Sequence, residues 1–347
     1  MITLEADRRL VTATELRSGL PLDAPDRILR QRAEIRAILD GEDDRLLVLA
    51  GPCSIHDPIA GLDYARRLAS AAAAHRADLL IVMRAYLEKP RTIVGWKGML
   101  TDPGLDGGSD LDTGLRISRK FLLAAHGAGL PLACEFVDPM LAGYLADLVS
   151  WGCIGARTVE SQPHRQLGSW LPMPVGFKNA TSGDVGPAVH AVQAASAGHV
   201  FAGLGDEGEP AVIRSHGNTH GHVVLRGGER TGPNYEATSV GAALKLLRGA
   251  GLRETVVVDA SHGNSGKDHR RQPVVIDNLA GQLAAGQHGL AGIMIESFLA
   301  EGAQPIRPGR LEYGRSITDA CLSWEHTTDQ LDVLARAVRA RRETARR

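Results

Sequence analysis

The sequence lacks a charge imbalance, a long apolar run and any cluster of cysteines. Lys and Arg number 39 against 40 Asp and Glu, a formal net charge of −1, so the whole-chain field does not favour nucleic acid. An anion site must therefore come from local clustering of Arg and Lys. No run of ~20 apolar residues is present, and the start MITLEADRRL has no signal-peptide core. These absences predict a cytoplasmic protein with neither membrane nor nucleic acid as partner. The four cysteines, Cys53, Cys134, Cys153 and Cys321, are scattered and form no CxxC. They read as thiols, ligands or core residues rather than disulfides. Aromatic residues are 4% while glycines number 40, which suits an α/β protein with many tight turns.

What is present is a recurring short apolar run: LLVLA (46–50), LLIVM (79–83), PLACEFV (131–137), GCIGA (152–156), PVGF (174–177), HVVL (222–225), TVVV (255–258) and GIMI (292–295). Continuous runs of this length fit strands buried on both faces, as in parallel sheets. Helix-like stretches lie between them, including 61–74, 115–127, 239–247 and 276–285. Eight strands alternating with helices predict an α/β fold, a (β/α)8 TIM barrel over residues 46–347. An open doubly wound sheet is the competing arrangement. Residues 1–45 are more polar, with one helical stretch at 25–39, and read as an N-terminal extension for oligomer or regulatory contacts. HVFAGL (199–204) and AVIR (211–214) read as an inserted β-hairpin, about 199–214, before barrel strand six. The Gly- and Asp-rich TDPGLDGGSDLD, between strands two and three, reads as a functional or mobile loop. The basic tail ARAVRARRETARR reads as a solvated helix end.

The active site of such a barrel lies at the C-terminal ends of its strands. Cys53 follows the first run; Arg84, Glu88, Lys89, Pro90, Arg91 and Thr92 follow the second. Glu135 and Asp138 mark the third, Arg157 and Glu160 the fourth, Lys178 the fifth and Arg226 the sixth. Asp259, Ser261, His262 and Asn264 follow the seventh, and Glu296 the eighth. A single Arg after a strand is usually a solvated loop residue. Five cations on one mouth (Arg84, Lys89, Arg157, Lys178 and Arg226) are a different matter. At an effective dielectric near ~20 they repel strongly, so an anion or acidic partners must neutralise them. Phosphate and carboxylate match the Arg fork and the Lys point charge. A second group, Cys53, His262, Glu296 and Asp319, mixes soft-to-borderline and hard donors. That mixture suits a divalent Mn, Fe, Co or Zn ion better than Mg. Taken singly, Cys53 reads as well as an inert thiol, and His262 as a hydrogen-bonding residue.

The stretches GPCSIHDP (51–58), VMRAYLEKPRTIVGWKG (82–98), GARTVESQ (155–162), PVGFKN (174–179), LRGG (225–228), DASHGNS (259–265), ESFLAEG (296–302) and SITDAC (316–321) closely resemble the metal-dependent class I 3-deoxy-D-arabino-heptulosonate 7-phosphate (DAHP) synthases. The resemblance runs in order over roughly residues 40 to 345. It implies the first step of the shikimate pathway, towards chorismate and the aromatic amino acids. There phosphoenolpyruvate, D-erythrose 4-phosphate and water give DAHP and phosphate. It implies Cys53, His262, Glu296 and Asp319 as metal ligands, and Arg84, Lys89, Arg157, Lys178 and Arg226 as phosphoenolpyruvate contacts. Lys89, Pro90, Arg91 and Thr92 would meet erythrose 4-phosphate, and Glu135 would face the reacting water. Lys89, His262 and Glu135 are the implied catalytic residues. A homodimer or homotetramer is usual for the family.

The chain departs from the family pattern in places. Cys134 stands where Gly is common, and Phe298 where His is common. Family members are often inhibited by Phe, Tyr or Trp through the extension and the hairpin. Here the extension is short, and VDPMLAGY, WLPMP and the hairpin differ from inhibitor-binding versions, so the resemblance does not carry an inhibitor over. Two rival readings are a synthase using arabinose 5-phosphate, which carries a different sequence at KPRT, and a non-catalytic barrel partner of a shikimate-pathway enzyme. The latter would have lost a ligand or an anion-binding residue, and none is lost.

Overall fold

The computed structural model describes residues 8–205, 207–307 and 309–345. The first seven residues of the expected extension, Asp206 of the expected hairpin segment, Pro308 and the last two residues of the basic tail lie outside these. The strands are β1 (Leu46–Gly51), β2 (Leu79–Arg84), β3 (Leu132–Glu135), β4 (Trp151–Ile154), β5 (Val175–Lys178), β6 (Val200–Leu204), β7 (Pro210–Arg214), β8 (Gly221–Leu225), β9 (Val256–Asp259) and β10 (Leu290–Glu296). All but β6 and β7 join one closed barrel in the order β1-β2-β3-β4-β5-β8-β9-β10, with every neighbouring pair parallel. Pairing of β1 with β10, from Leu47 opposite Gly292 to Gly51 opposite Glu296, closes the ring and removes the open-sheet alternative.

Strand alternation explains why the runs are apolar throughout. Leu47, Leu49, Leu80, Val82, Ala133, Trp151, Val224, Val257 and Met294 form one buried cluster, which is the barrel interior. Their neighbours Leu46, Val48, Ile81, Leu132, Val223, Val256 and Ile293 belong to the other cluster, packed under the outer helices. Both faces of each strand are therefore dry. Trp151 fills the lumen, and its indole nitrogen donates to His222 Nε2 at 3.1 Å. It fits because residue 176 is Gly: a Cβ there would lie 2.4 Å from the indole.

The helix Pro25–Asp40 contributes Ile35, Ile38 and Leu39 to the interior cluster, so part of the extension plugs the N-terminal end of the barrel. The extension is also tied to the segment between β3 and β4. Buried Arg119 donates to Leu20 O (2.8 Å), Tyr144 O (3.1 Å) and both carboxylate oxygens of Asp147, while the Tyr144 hydroxyl donates to Val11 O at 2.7 Å.

Some elements differ from the expected bounds for local reasons. The apolar run 131–137 yields a strand only to Glu135, because Val137 N and Asp138 N turn away to donate to Glu88. The helix expected from residue 115 begins at Leu111, where Asp110 caps it by accepting from Thr113 N. β6 and β7 pair antiparallel as the inserted hairpin, after the helix Gly186–Ser196, and leave Val200, Leu204 and Val212 exposed. The basic tail is not simply solvated: Arg342, in the helix Trp324–Ala345, pairs with Asp44 and Asp78 at 2.6 Å and anchors that helix beside the start of β1. Among the described residues no helix is long and apolar enough to cross a membrane.

Candidate active site

Six of the charged strand ends continue the inward series of their strands. Arg84 follows Leu80 and Val82, Glu135 follows Ala133, and Arg226 follows Val224. Asp259 follows Val257, Glu296 follows Met294, and Lys178 follows Gly176, the position that accommodates Trp151. Period-two alternation thus delivers these side chains into the top of one lumen.

The thiol of Cys53 and the carboxylates of Glu296 and Asp319 lie with ligand atoms within 4.8 Å of one another. His262 is outside that tight group, but its Nε2 lies 3.7 Å from Glu296 Oε1. Cys53 Sγ accepts from Lys89 Nζ at 3.0 Å and from Asp319 N at 3.4 Å. Burial, Glu296 and Asp319 push its thiol up to about 11, against the pull of Lys89 and Arg84. A thiol and two carboxylates crowded in this way suit a divalent cation, which would displace the thiol proton. The backbone of Glu296 is fixed on both sides by Gln272, which donates to its carbonyl at 3.0 Å and accepts from its amide at 2.9 Å.

The cations sort by depth. Arg84 is 1% exposed; it donates to Glu296 Oε1 (2.9 Å) and to the carbonyls of Pro52 and Cys53, and its guanidinium sits 3.9 Å from the Tyr86 ring centre. Buried Lys178 pairs with Asp259 at 3.0 Å. Burial works against the Lys178 charge, but Asp259 and Cys153 hold its pKa above the ordinary value. Arg226 is lowered by burial and by Arg157. Exposed Arg157 donates to Thr92 Oγ1 at 2.9 Å. The repulsion foreseen among five cations is therefore met by two buried acids for the deepest members. Arg157 and Arg226 have no acidic partner within ion-pair distance among the described residues.

A pocket of about 100 Å³ is lined by Lys89, Pro90, Arg91, Glu135, Arg157, Lys178, Arg226, His262 and Asp319, together with Lys267 and Thr318. Cys53, Arg84 and Glu296 are not in its lining, and Thr92 is reached only through Arg157. Glu135 lies over Gly155, where a Cβ would meet its Oε1 at 2.2 Å. Cys134 is structural: its Sγ donates to Ala85 O at 3.1 Å, and burial raises the thiol far above its usual range. Phe298 is buried between the rings of His56 and Tyr64. A cavity of about 570 Å³ beside His216 and His220 lies away from these groups, as do two larger ones. One of about 1030 Å³ is beside Arg45 and Arg253, and one of about 790 Å³ is between the extension and the hairpin.

Two residues have roles that strand-end inspection missed. Asp259 joins Lys178 to His262, with Oδ2 3.0 Å from the former's Nζ and 2.9 Å from the latter's Nδ1. Burial would raise its pKa, but Lys178 and His262 hold it well below the usual carboxylate range. Glu88 accepts from Val137 N (3.1 Å) and Asp138 N (3.0 Å), tying the β2 exit that carries Lys89 to the β3 exit that carries Glu135. The available signal was inward parity for Asp259 and adjacency to Lys89 for Glu88.

Fold and site together define a (β/α)8-barrel enzyme of phosphorylated small molecules, with donors for a divalent metal beside its anion pocket. The chain belongs to the DAHP synthetase I family, whose model matches residues 22–332. It is 48% identical to a phospho-2-dehydro-3-deoxyheptonate aldolase of Corynebacterium glutamicum, over 98% of this chain and 95% of that one. It is equally 48% identical to the Tyr-sensitive enzyme of that name from Escherichia coli, over 92% of this chain and 90% of the relative. A solved phospho-2-dehydro-3-deoxyheptonate aldolase from Francisella tularensis superposes with a TM-score of 0.95 at 43% identity, covering 98% of this chain and 99% of the other.

Glu88 yields a pH prediction. Burial, opposed by the two backbone bonds and aided by Asp138 and Glu135, pushes its carboxyl up from 4.5 to about 8. The folded protein then keeps a proton that the unfolded chain releases. This stabilising contribution is complete below pH 4.5 and is lost as pH rises to about 8. Denaturant midpoints measured across that window should fall with pH in the parent and fall less steeply in Glu88→Gln.

Proposed function

We propose that this chain is a DAHP synthase. It joins phosphoenolpyruvate to D-erythrose 4-phosphate and releases inorganic phosphate as the first step of aromatic biosynthesis. The observation that carries this reading is the position of Lys89. Its ammonium touches the thiol of Cys53 at 3.0 Å and also lines the pocket shared by Arg157, Lys178 and Arg226. A metal-side group and an anion clamp therefore meet at one proton donor.

In this reading Arg157, Lys178 and Arg226 hold the phosphate of phosphoenolpyruvate, with Lys89 near its reacting end. Arg84, committed below to Glu296, keeps that ligand in place from beneath the pocket. Pro90, Arg91 and Thr92 meet the sugar phosphate. A divalent cation, of the Mn, Fe, Co or Zn kind, would be held by Cys53, His262, Glu296 and Asp319 and would supply Lewis acidity towards the aldehyde.

C3 of phosphoenolpyruvate attacks the aldehyde carbon, forming the new C–C bond. Lys89 gives its proton to the aldehyde oxygen. Burial works against the Lys89 charge, yet Cys53, Glu296 and Glu135 hold it above its ordinary pKa, so the proton is present before the bond forms. Water adds to C2 while Glu135 takes its proton. The new C2 hydroxyl then gives its proton to the departing phosphate as the C2 carbonyl forms and the C2–oxygen bond to phosphate breaks, and the cations stabilise the departing charge.

Phosphate release measured with erythrose 4-phosphate, with arabinose 5-phosphate and with no aldehyde tests this reading. Release only with the four-carbon sugar is expected. Release with the five-carbon sugar alone favours the rival synthase, and none at all favours a non-catalytic barrel. Lys89→Met should lower kcat about 10²–10⁴-fold, the usual range for a lost general acid. Near-normal turnover with normal phosphoenolpyruvate binding would remove Lys89 from the mechanism.

A second reading concerns the cavity of about 790 Å³ between the extension and the hairpin, lined by Ile28, Tyr144, Leu167, Trp170 and Phe201 among others. Similar proteins are named Trp-sensitive in Enterobacter agglomerans and tyrosine-inhibited in Schizosaccharomyces pombe. We infer that this apolar cavity takes an aromatic amino acid that lowers activity. Adding Phe, Tyr and Trp singly to the phosphate-release assay should slow it in at least one case; an unchanged rate with all three counts against the idea.

A further inference from the structure

Asp259 is the last residue of β9, and its side chain is fully buried. Its two oxygens are used unequally. Oδ1 accepts from Ser261 N at 3.0 Å and from Ser261 Oγ at 2.6 Å. Oδ2 alone faces both Lys178 Nζ, 3.0 Å away, and His262 Nδ1, 2.9 Å away. Both are ion-pair distances, and neither has the alignment of a full hydrogen bond. Among the described residues Lys178 has no other acidic partner within ion-pair distance. His262 adopts a φ of 53°, in the left-handed region, and Ser261 Oγ lies 2.7 Å from its Nδ1.

We propose that Asp259 is a positioning residue that couples metal binding to phosphoenolpyruvate binding, because one oxygen serves both His262 and Lys178. This rests on the reading that His262 Nε2 is a metal ligand and Lys178 a phosphate contact. With a cation held there, the His262 ring would be poorer in electrons and its Nδ1–H would be a stronger donor. Oδ2 then turns towards His262, and the Lys178 ammonium is released to the phosphate. In the other direction, a phosphate that takes Lys178 leaves Oδ2 wholly to His262, which makes Nε2 a better ligand. Carboxylate partners of ligating imidazoles act on metal affinity in this way. Each guest must therefore tighten the other by the same factor.

The test uses the full chain without any aldehyde, so that nothing turns over. Affinity for phosphoenolpyruvate is measured with and without Mn²⁺, and affinity for Mn²⁺ with and without phosphoenolpyruvate. In the parent, each should tighten the other by an equal factor, in the usual range of about 5–150-fold. Asp259→Asn should bring that factor at least fivefold closer to one. Lys178 is left with an unpaired buried charge in that variant, so Ser261→Ala provides a second route. It removes the hydroxyl donor from Oδ1 and leaves only Ser261 N on that oxygen, so one of the two partners can share it, and it should lower the coupling while both guests still bind. A factor near one in the parent overturns the proposal, as does an unchanged factor in the folded variants. Failure of the parent to bind Mn²⁺ or phosphoenolpyruvate at all is a separate result, and it counts against the proposed function itself.

Discussion

Charge taken out of water at the top of this barrel has to be neutralised there, and the site is arranged around that requirement. The side chains of Arg84 and Glu296 are 1% and 2% exposed, and those of Lys178 and Asp259 are 5% and 0% exposed. Removing one partner of such a pair leaves an uncompensated buried charge, at a cost of ~3–5 kcal/mol. Each pair spans one intervening strand: β2 to β10 across β1, and β5 to β9 across β8. Barrel closure and the buried charges therefore depend on one another. If β1 and β10 did not pair, Arg84 would lose its carboxylate.

Those neutral pairs form a lower layer, and the rim above is left cationic. Arg157 and Arg226 face the pocket without acidic partners among the described residues, while Lys89 is shared between the pocket and the Cys53 thiol. Donors fixed before the substrate arrives need little reorganisation when charge moves, which is how such sites lower barriers. The metal-side cluster follows the opposite logic. Burial first, and then the nearby carboxylates, raise the Cys53 pKa, and thiol and carboxylates gathered so closely favour a guest cation.

The other end of the barrel serves stability. Ile35, Ile38 and Leu39 close the bottom, and Arg342 secures the last helix through Asp44 and Asp78. The same extension reaches around the outside, where Arg119 and Tyr144 bind the carbonyls of Leu20 and Val11. One N-terminal segment thus contributes to the core and also walls a cavity beside the hairpin.

The strands, the barrel and the charged strand ends were legible in the sequence because each rests on a local property. A run such as LLVLA declares burial on both faces, and period-two alternation carries Arg84 or Glu296 inward wherever the strand sits. The resemblance carried by EKPRTIVGWKG and DASHGNS extended this to chemistry, and family membership agrees with it. Pairing was not legible. Nothing near Lys178 in the chain indicates that Asp259, on a strand two places round the ring, will meet it. Nor does PDRILRQRAEIRAIL announce that it plugs a barrel, since an amphipathic helix shows only that one face is covered. The sequence by itself determined which residues point into the lumen and what donors they bring. Only the tertiary structure decided which of them touch, because register and ring closure set the distances between residues far apart in the chain.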